Sequence, residues 1–93
     1  MLATLTLHLH LPTCSSLKEK RSRLKPLLSR LHREFNISVA EMDLNDQWQE
    51  ALIACAMVNR DSVQLQRSMQ AISQWLAANW PDGMIVDEIL EVI

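Results

Sequence analysis

The sequence predicts an α+β fold with four strands and two helices in the order βαββαβ. Three observations predict it. Two stretches, opened by Ser16 and Asp61, carry apolar residues at helical spacing. The runs before, between and after them alternate with a period of two or are continuously apolar. Turn residues fall between the two middle strands, at DLND. Ninety-three residues make a single domain, residues 1–93.

In the first strand Leu5, Leu7, Leu9 and Leu11 alternate with Thr4, Thr6, His8 and His10. The leucine face must be buried and the other is at least partly wet. Pro12 ends this strand, and Pro12 to Ser15 is a short loop. Ser16 and Glu19 then form a capping box, S-x-x-E, in which each side chain satisfies an orphan N–H of the first helical turn. Leu17, Leu24, Leu28, Leu31 and Phe35 fall in one stripe at 100° per residue. Pro26 cannot donate to the carbonyl of Ser22. The leucine stripe keeps its phase across it, so one helix with a kink is expected.

Asn36 breaks the helix, and Ile37, Val39 and Glu41 alternate with Ser38, Ala40 and Met42 as a second strand. Asp43 to Asp46 is the turn to the next strand, expected from Gln47. From Ala51 to Val58 this third strand is apolar on both faces, which belongs in the middle of a sheet. Asn59 to Asp61 turns the chain, and Asp61 caps the second helix with Gln64 as its partner three residues on. Leu65, Met69, Ile72 and Leu76 mark its buried stripe, with Trp75 on the flank. Asn79, Pro81 and Gly83 stop it. Met84 to Ile93 is the closing strand.

Two right-handed split β-α-β units give a ferredoxin-like two-layer sandwich: a four-stranded antiparallel sheet with both helices on one face. The other sheet face is left uncovered, and the third strand is apolar on that side too. An apolar uncovered face predicts self-association as a homodimer. In the plainer reading the small residues Ala51, Ala54 and Ala56 leave the face tolerable in a monomer.

SLKEKR at Ser16 to Arg21, followed by LKPLLSRL, FNISVAE and DQWQEA at Asp46 to Ala51, resembles the YlxP-like family of small bacterial proteins of unknown function. The resemblance covers nearly the whole chain and includes the spacing of these blocks. It implies a ferredoxin-like fold and a cytoplasmic bacterial protein, and brings no established activity. Members are often encoded beside transcription-elongation and translation-initiation factors, an associational pointer toward RNA.

Composition narrows the function classes. Hydrophobic residues at 48% and charged residues at 22% describe an ordinary globular chain. The single glycine, Gly83, excludes glycine-rich phosphate loops, which need several at fixed offsets. No apolar run approaches the length that spans a bilayer. The amino-terminal stretch lacks a basic segment and alternates, so it is expected to be a strand and not an export signal. Cys14 and Cys55 are then expected to stay reduced. Net charge is −2, but residues 1–33 carry +6 and the remainder −8. The basic charge is gathered on the first helix.

Lys18, Arg21 and Lys25 flank the leucine stripe, and Arg23, Arg30 and Arg33 lie on its far side. Lys20 sits at the edge of the stripe, where its stem packs and its ammonium is expected to snorkel outward. These side chains can hold phosphates, although a merely solvated basic face is the commoner outcome. Base stacking on the sheet is excluded, because the third strand, EALIACAMV, has no aromatic residue. Cys14 precedes a helix cap, where a thiol pKa is lowered, but each catalytic or metal loop it resembles lacks a partner. Leu17 replaces the second cysteine of a copper carrier, and Lys20 the arginine of a phosphatase loop. The glycine-flanked arginine loop of an acylphosphatase has no glycine here. His8 and His10 share a strand face at a chelating spacing, with Glu41 or Glu91 as conceivable third ligands, yet two outward histidines are commonly unliganded. Asp46 is read as a turn residue and Trp48 as an anchor at the strand start or a subunit contact.

The expected function is therefore a non-enzymatic binding protein without cofactor or metal. It contacts RNA, or a ribosome-associated partner, through Lys18, Lys20, Arg21, Arg23, Lys25 and Arg30. The alternative is a structural or regulatory interaction module acting through its open sheet face as a dimer.

Overall fold

Alternation in β1 (Leu2–His10) buries Ala3, Leu5, Leu7 and Leu9 and leaves Thr4, Thr6, His8 and His10 half-buried on the opposite face. In this computed structural model, which describes residues 1–93, β1 is followed by α1 (Leu17–Phe35), β2 (Ser38–Asp43), β3 (Glu50–Val58), α2 (Ser62–Asn79) and β4 (Met84–Val92). The sheet order is β2-β3-β1-β4 and every pairing is antiparallel. This is the ferredoxin-like sandwich. No helix is long and apolar enough to cross a membrane.

The central position of β3 explains its composition. Ala51, Ile53 and Cys55 are buried under the helices, and Leu52, Ala54 and Ala56 are half-buried on the open face. α1 packs over β2, and α2 over β1 and β4. Leu7, Leu9, Leu31, Ile53, Leu65, Met69 and Ile72 are fully enclosed between the layers, and each such side chain contributes about 1.5–3 kcal/mol. Burial drives the Cys55 thiol pKa up to about 12, which leaves it protonated and unreactive.

The helix boundaries follow the sequence, with two changes in the caps. Ser16 accepts from the Glu19 N–H at 3.0 Å, as the capping box requires. Glu19 reaches past Ser16, however, and accepts from the backbone and hydroxyl of Ser15, both at 2.9 Å. Asp61 accepts from Val63 and Gln64, while its own N–H goes to Asn59 and not to the Gln64 side chain. Asn36 ends α1 in the left-handed region. α1 runs through Pro26, which is exposed, so water can serve the Ser22 carbonyl that the ring leaves without a donor. After α2, Trp80 is buried, and the indole and the His10 carbonyl occupy the space where any side chain on Gly83 would lie. Gly83 is thus required by close approach, not by its dihedral angles.

The core face of α1 departs from the leucine stripe read in the sequence. Its buried residues are Lys20, Leu24, Leu27 and Leu31; Leu17, Leu28 and Phe35 are only half-buried. The stripe is rotated, and Lys20 holds a core position. Its ammonium does not snorkel. The side chain is 2% exposed, and Nζ donates to the carbonyls of Leu44 at 2.7 Å and Gln47 at 2.8 Å. Glu41 Oε2 stands 2.8 Å from Nζ, an ion pair whose angle falls outside hydrogen-bond alignment.

This anchorage also explains why β3 starts at Glu50 and not at Gln47. Residues 44–49 curl over the ammonium, with Leu44 at φ 62° and the Gln47 N–H closing a turn onto the Leu44 carbonyl. Lys20→Met keeps the volume but strands a carboxylate and two carbonyls. It is expected to lower the unfolding free energy by about 3–5 kcal/mol in a urea titration. A loss below about 1 kcal/mol, the value of an exposed pair, would mean that the ammonium is hydrated.

Candidate nucleic-acid interface

Tertiary packing sorts the cations of α1 into two sets. Lys18, Arg21 and Lys25 are exposed and make no ion pair and no side-chain hydrogen bond; the chain's four ion pairs are His8–Glu50, His10–Glu50, Lys20–Glu41 and Arg23–Glu19. Spaced three and four residues apart, they lie on one side of the helix with axial steps of about 4.5 and 6 Å. The other candidates are engaged. Lys20 is enclosed and cannot meet a polyanion. Arg23, read as projecting into solvent, is half-buried between the Glu19 carboxylate and the Pro12 carbonyl, which it reaches at 3.2 Å. Arg30 lies 4.8 Å from the ring centre of Trp75 and donates to the Asn79 carbonyl at 3.4 Å, which ties α1 to α2. Phe35 meets the same indole edge-on at 6.0 Å.

Between α1 and the edge strand β2 runs a groove of about 280 Å³ lined by Arg21, Leu24, Lys25, Leu28, Ser29 and Glu41. Leu24 and Leu28 supply an apolar floor, and Arg21 and Lys25 a cationic rim. The Glu41 charge is offset by Lys20, so the groove keeps its positive sign. Sequence reading identified the rim and missed the groove. The signal was present, because Leu28 and Ser29 flank the same side of the wheel as Arg21 and Lys25. A larger hollow of about 410 Å³ is lined by Asp46, Gln47, Trp48, Gln49 and Glu50. Its two carboxylates repel a polyanion, so size does not decide the site. Trp48 there is 53% exposed and lies outside the core.

Glu19 has its pKa held below the ordinary value, chiefly by the Ser15 backbone and hydroxyl and then by Arg23. It is therefore a spent charge at the start of α1, already compensated where Lys18 and Arg21 are not.

On the open face one carboxylate joins both strand histidines. Glu50 Oε2 is 2.7 Å from His8 Nε2, and Oε1 is 3.0 Å from His10 Nδ1. Neither conceivable third metal ligand is near. Glu41 faces the helix layer beside Lys20, and Glu91 lies opposite Thr4. No group of three or more His, Cys, Asp or Glu side chains is placed to hold a metal ion. Cys14 is enclosed in the core with its thiol on the Ser16 carbonyl at 3.5 Å, out of reach of a substrate.

With this geometry in view, the family model described as "Protein of unknown function (DUF503)" matches residues 2–88. The chain belongs to that family. It is also similar to "Uncharacterized protein YlxP" of Bacillus subtilis (strain 168), at 39% identity over 57 residues. That match takes in 61% of this chain and 62% of the relative's length. A solved structure described as "Structural Genomics, protein YJCS" superposes on all of this chain and 99% of its own, with a TM-score of 0.61 and 10% identity. At that identity the likeness shows the fold alone. The resemblance read from the SLKEKR and DQWQEA blocks is thereby borne out, and family membership assigns no activity.

For Glu50, burial opposes ionisation, but hydrogen bonds from His10 and His8 and their charge outweigh it and hold the pKa below 4.5. A depressed carboxylate stabilises the fold above its unfolded pKa and ceases to do so as pH falls through the folded one. Glu50→Gln is therefore expected to cost about 1 kcal/mol at neutral pH. In denaturation curves recorded across a pH series the deficit should shrink below pH 4.5. A pH-independent deficit would remove the carboxylate's charge from the account.

Proposed function

We propose that the protein is a non-enzymatic module of the bacterial cytoplasm that binds RNA, or the RNA of a ribosome-associated particle, through Lys18, Arg21 and Lys25. One observation carries the reading: these three cations lie in line on one side of α1, exposed and without a carboxylate or carbonyl partner, while Arg33, also exposed and unpaired, stands about two turns beyond Lys25 and outside the groove. Phosphates have the opposite charge and a comparable spacing, and their counterions are released on binding. Binding of bulk cellular RNA should weaken steeply with salt. For a single strand the logarithmic slope is about −0.7 per phosphate held, hence about −2 for three. Neutralising Lys18, Arg21 and Lys25 together to Gln should flatten that slope, whereas Arg30→Gln should leave it nearly intact. Filter binding over a salt series reads both, and salt-independent or absent binding rejects the proposal.

A second reading rests on the open sheet. Ile89, paired with Thr6 on that face, is 53% exposed beside the half-buried Leu52, Ala54 and Ala56. A homodimer covering them is the structural alternative. Thr4, Thr6, His8, His10 and Glu50 run through the same face and make it more polar than β3 alone suggests. Light scattering should then give twice the 10.7 kDa chain mass, falling to one chain in Ile89→Lys. A monomeric wild-type protein ends this reading.

A further inference from the structure

We infer that the groove between α1 and β2 takes unpaired nucleotides, so that the nucleic acid recognised is single-stranded. This rests on the polyanion reading above and specifies its ligand. Four features of the groove point the same way. Its rim holds Arg21 and Lys25 with Lys18 one turn further back, all free of carboxylate partners. Its floor is Leu24 and Leu28, the latter half-buried and open to a flat apolar ligand. Ser29, small and exposed, leaves the lip of the groove open. The far wall is β2, an edge strand in which every second residue turns its N–H and C=O away from β3.

A charged rim alone would suit any polyanion. The apolar floor and the unpaired backbone edge add what a duplex cannot use, since its base edges are already paired and its phosphates face outward. A base splayed from a single strand offers a flat face to the leucines and donor and acceptor groups to the edge of β2. The same elements argue against an acidic peptide added as a fifth strand. β2 is six residues long, and its ladder is interrupted by a bulge at Met42, which blunts edge pairing. A peptide in the sheet plane also directs only alternate side chains toward α1, whereas a polynucleotide carries a charge on every unit.

The experiment compares an unstructured oligouridylate, an RNA duplex with the same number of phosphates, and a polyglutamate peptide, by fluorescence anisotropy at matched salt. The single strand should bind about tenfold tighter than the duplex, equivalent to about 1.4 kcal/mol. Ser29→Tyr fills the groove from an exposed position without altering charge, and Ser29→Ala leaves it open. The tyrosine variant should lose that tenfold preference with its salt slope and urea midpoint unchanged, and the alanine variant should keep it. Equal affinity for single strand and duplex, insensitive to Ser29→Tyr, overturns the inference while the polyanion reading stands. Polyglutamate binding as tight as the oligouridylate overturns it in favour of an acidic peptide, and no binding of any probe removes both readings.

Discussion

The buried ammonium of Lys20 organises more of this molecule than any apolar contact. An enclosed charge is tolerated only where its donors are met. Here one ammonium meets the Glu41 carboxylate and the carbonyls of Leu44 and Gln47. Those three partners come from β2 and from the loop that follows it. One side chain of α1 therefore sets the position of the edge strand, the path of residues 44–49 and the point at which β3 begins. The groove beside it inherits its walls from the same contact.

That contact also determines which basic residues are free. α1 carries a cation at almost every turn, yet those that face the core, α2 or the Pro12 turn are compensated by a carboxylate, a carbonyl or an indole ring. The side turned over the edge of β2 has no such neighbours. Free cations and an apolar recess coincide there because β2 is short and lies at the margin of the sheet. Nothing beyond it supplies acidic partners or covers Leu28, which stays half-buried beside the enclosed Leu24.

The opposite face of the sheet is governed by a different balance. β3 brings alanines and Leu52 to it, and β1 brings threonines and two histidines bridged by Glu50. The bridge links neighbouring strands whose residues are direct partners, His10 with Glu50, so it follows from register as much as from side-chain chemistry. A one-residue slip would place His10 opposite a neighbour of Glu50, on the other face of the sheet.

The element order, the leucine face of β1, the two-sided character of β3 and both helix starts were legible in the residues alone, because periodicity and capping are local properties. The basic character of α1 was legible for the same reason. The role of each cation was not. Lys20 reads as a snorkelling residue at the rim of a leucine stripe until Leu27 is seen to replace Leu28 in the core, a rotation decided by how α1 seats over β2. Glu41 and Glu91 read as equally conceivable partners for the histidines until the strand register put Glu41 on the helix face, Glu91 opposite Thr4 and Glu50 beside both rings. The sequence by itself determined which segments are helix and strand and where positive charge accumulates. Only the tertiary structure decided which of those charges are neutralised, because their partners are supplied by elements distant in the chain and depend on the phase of packing, which a one-dimensional pattern does not contain.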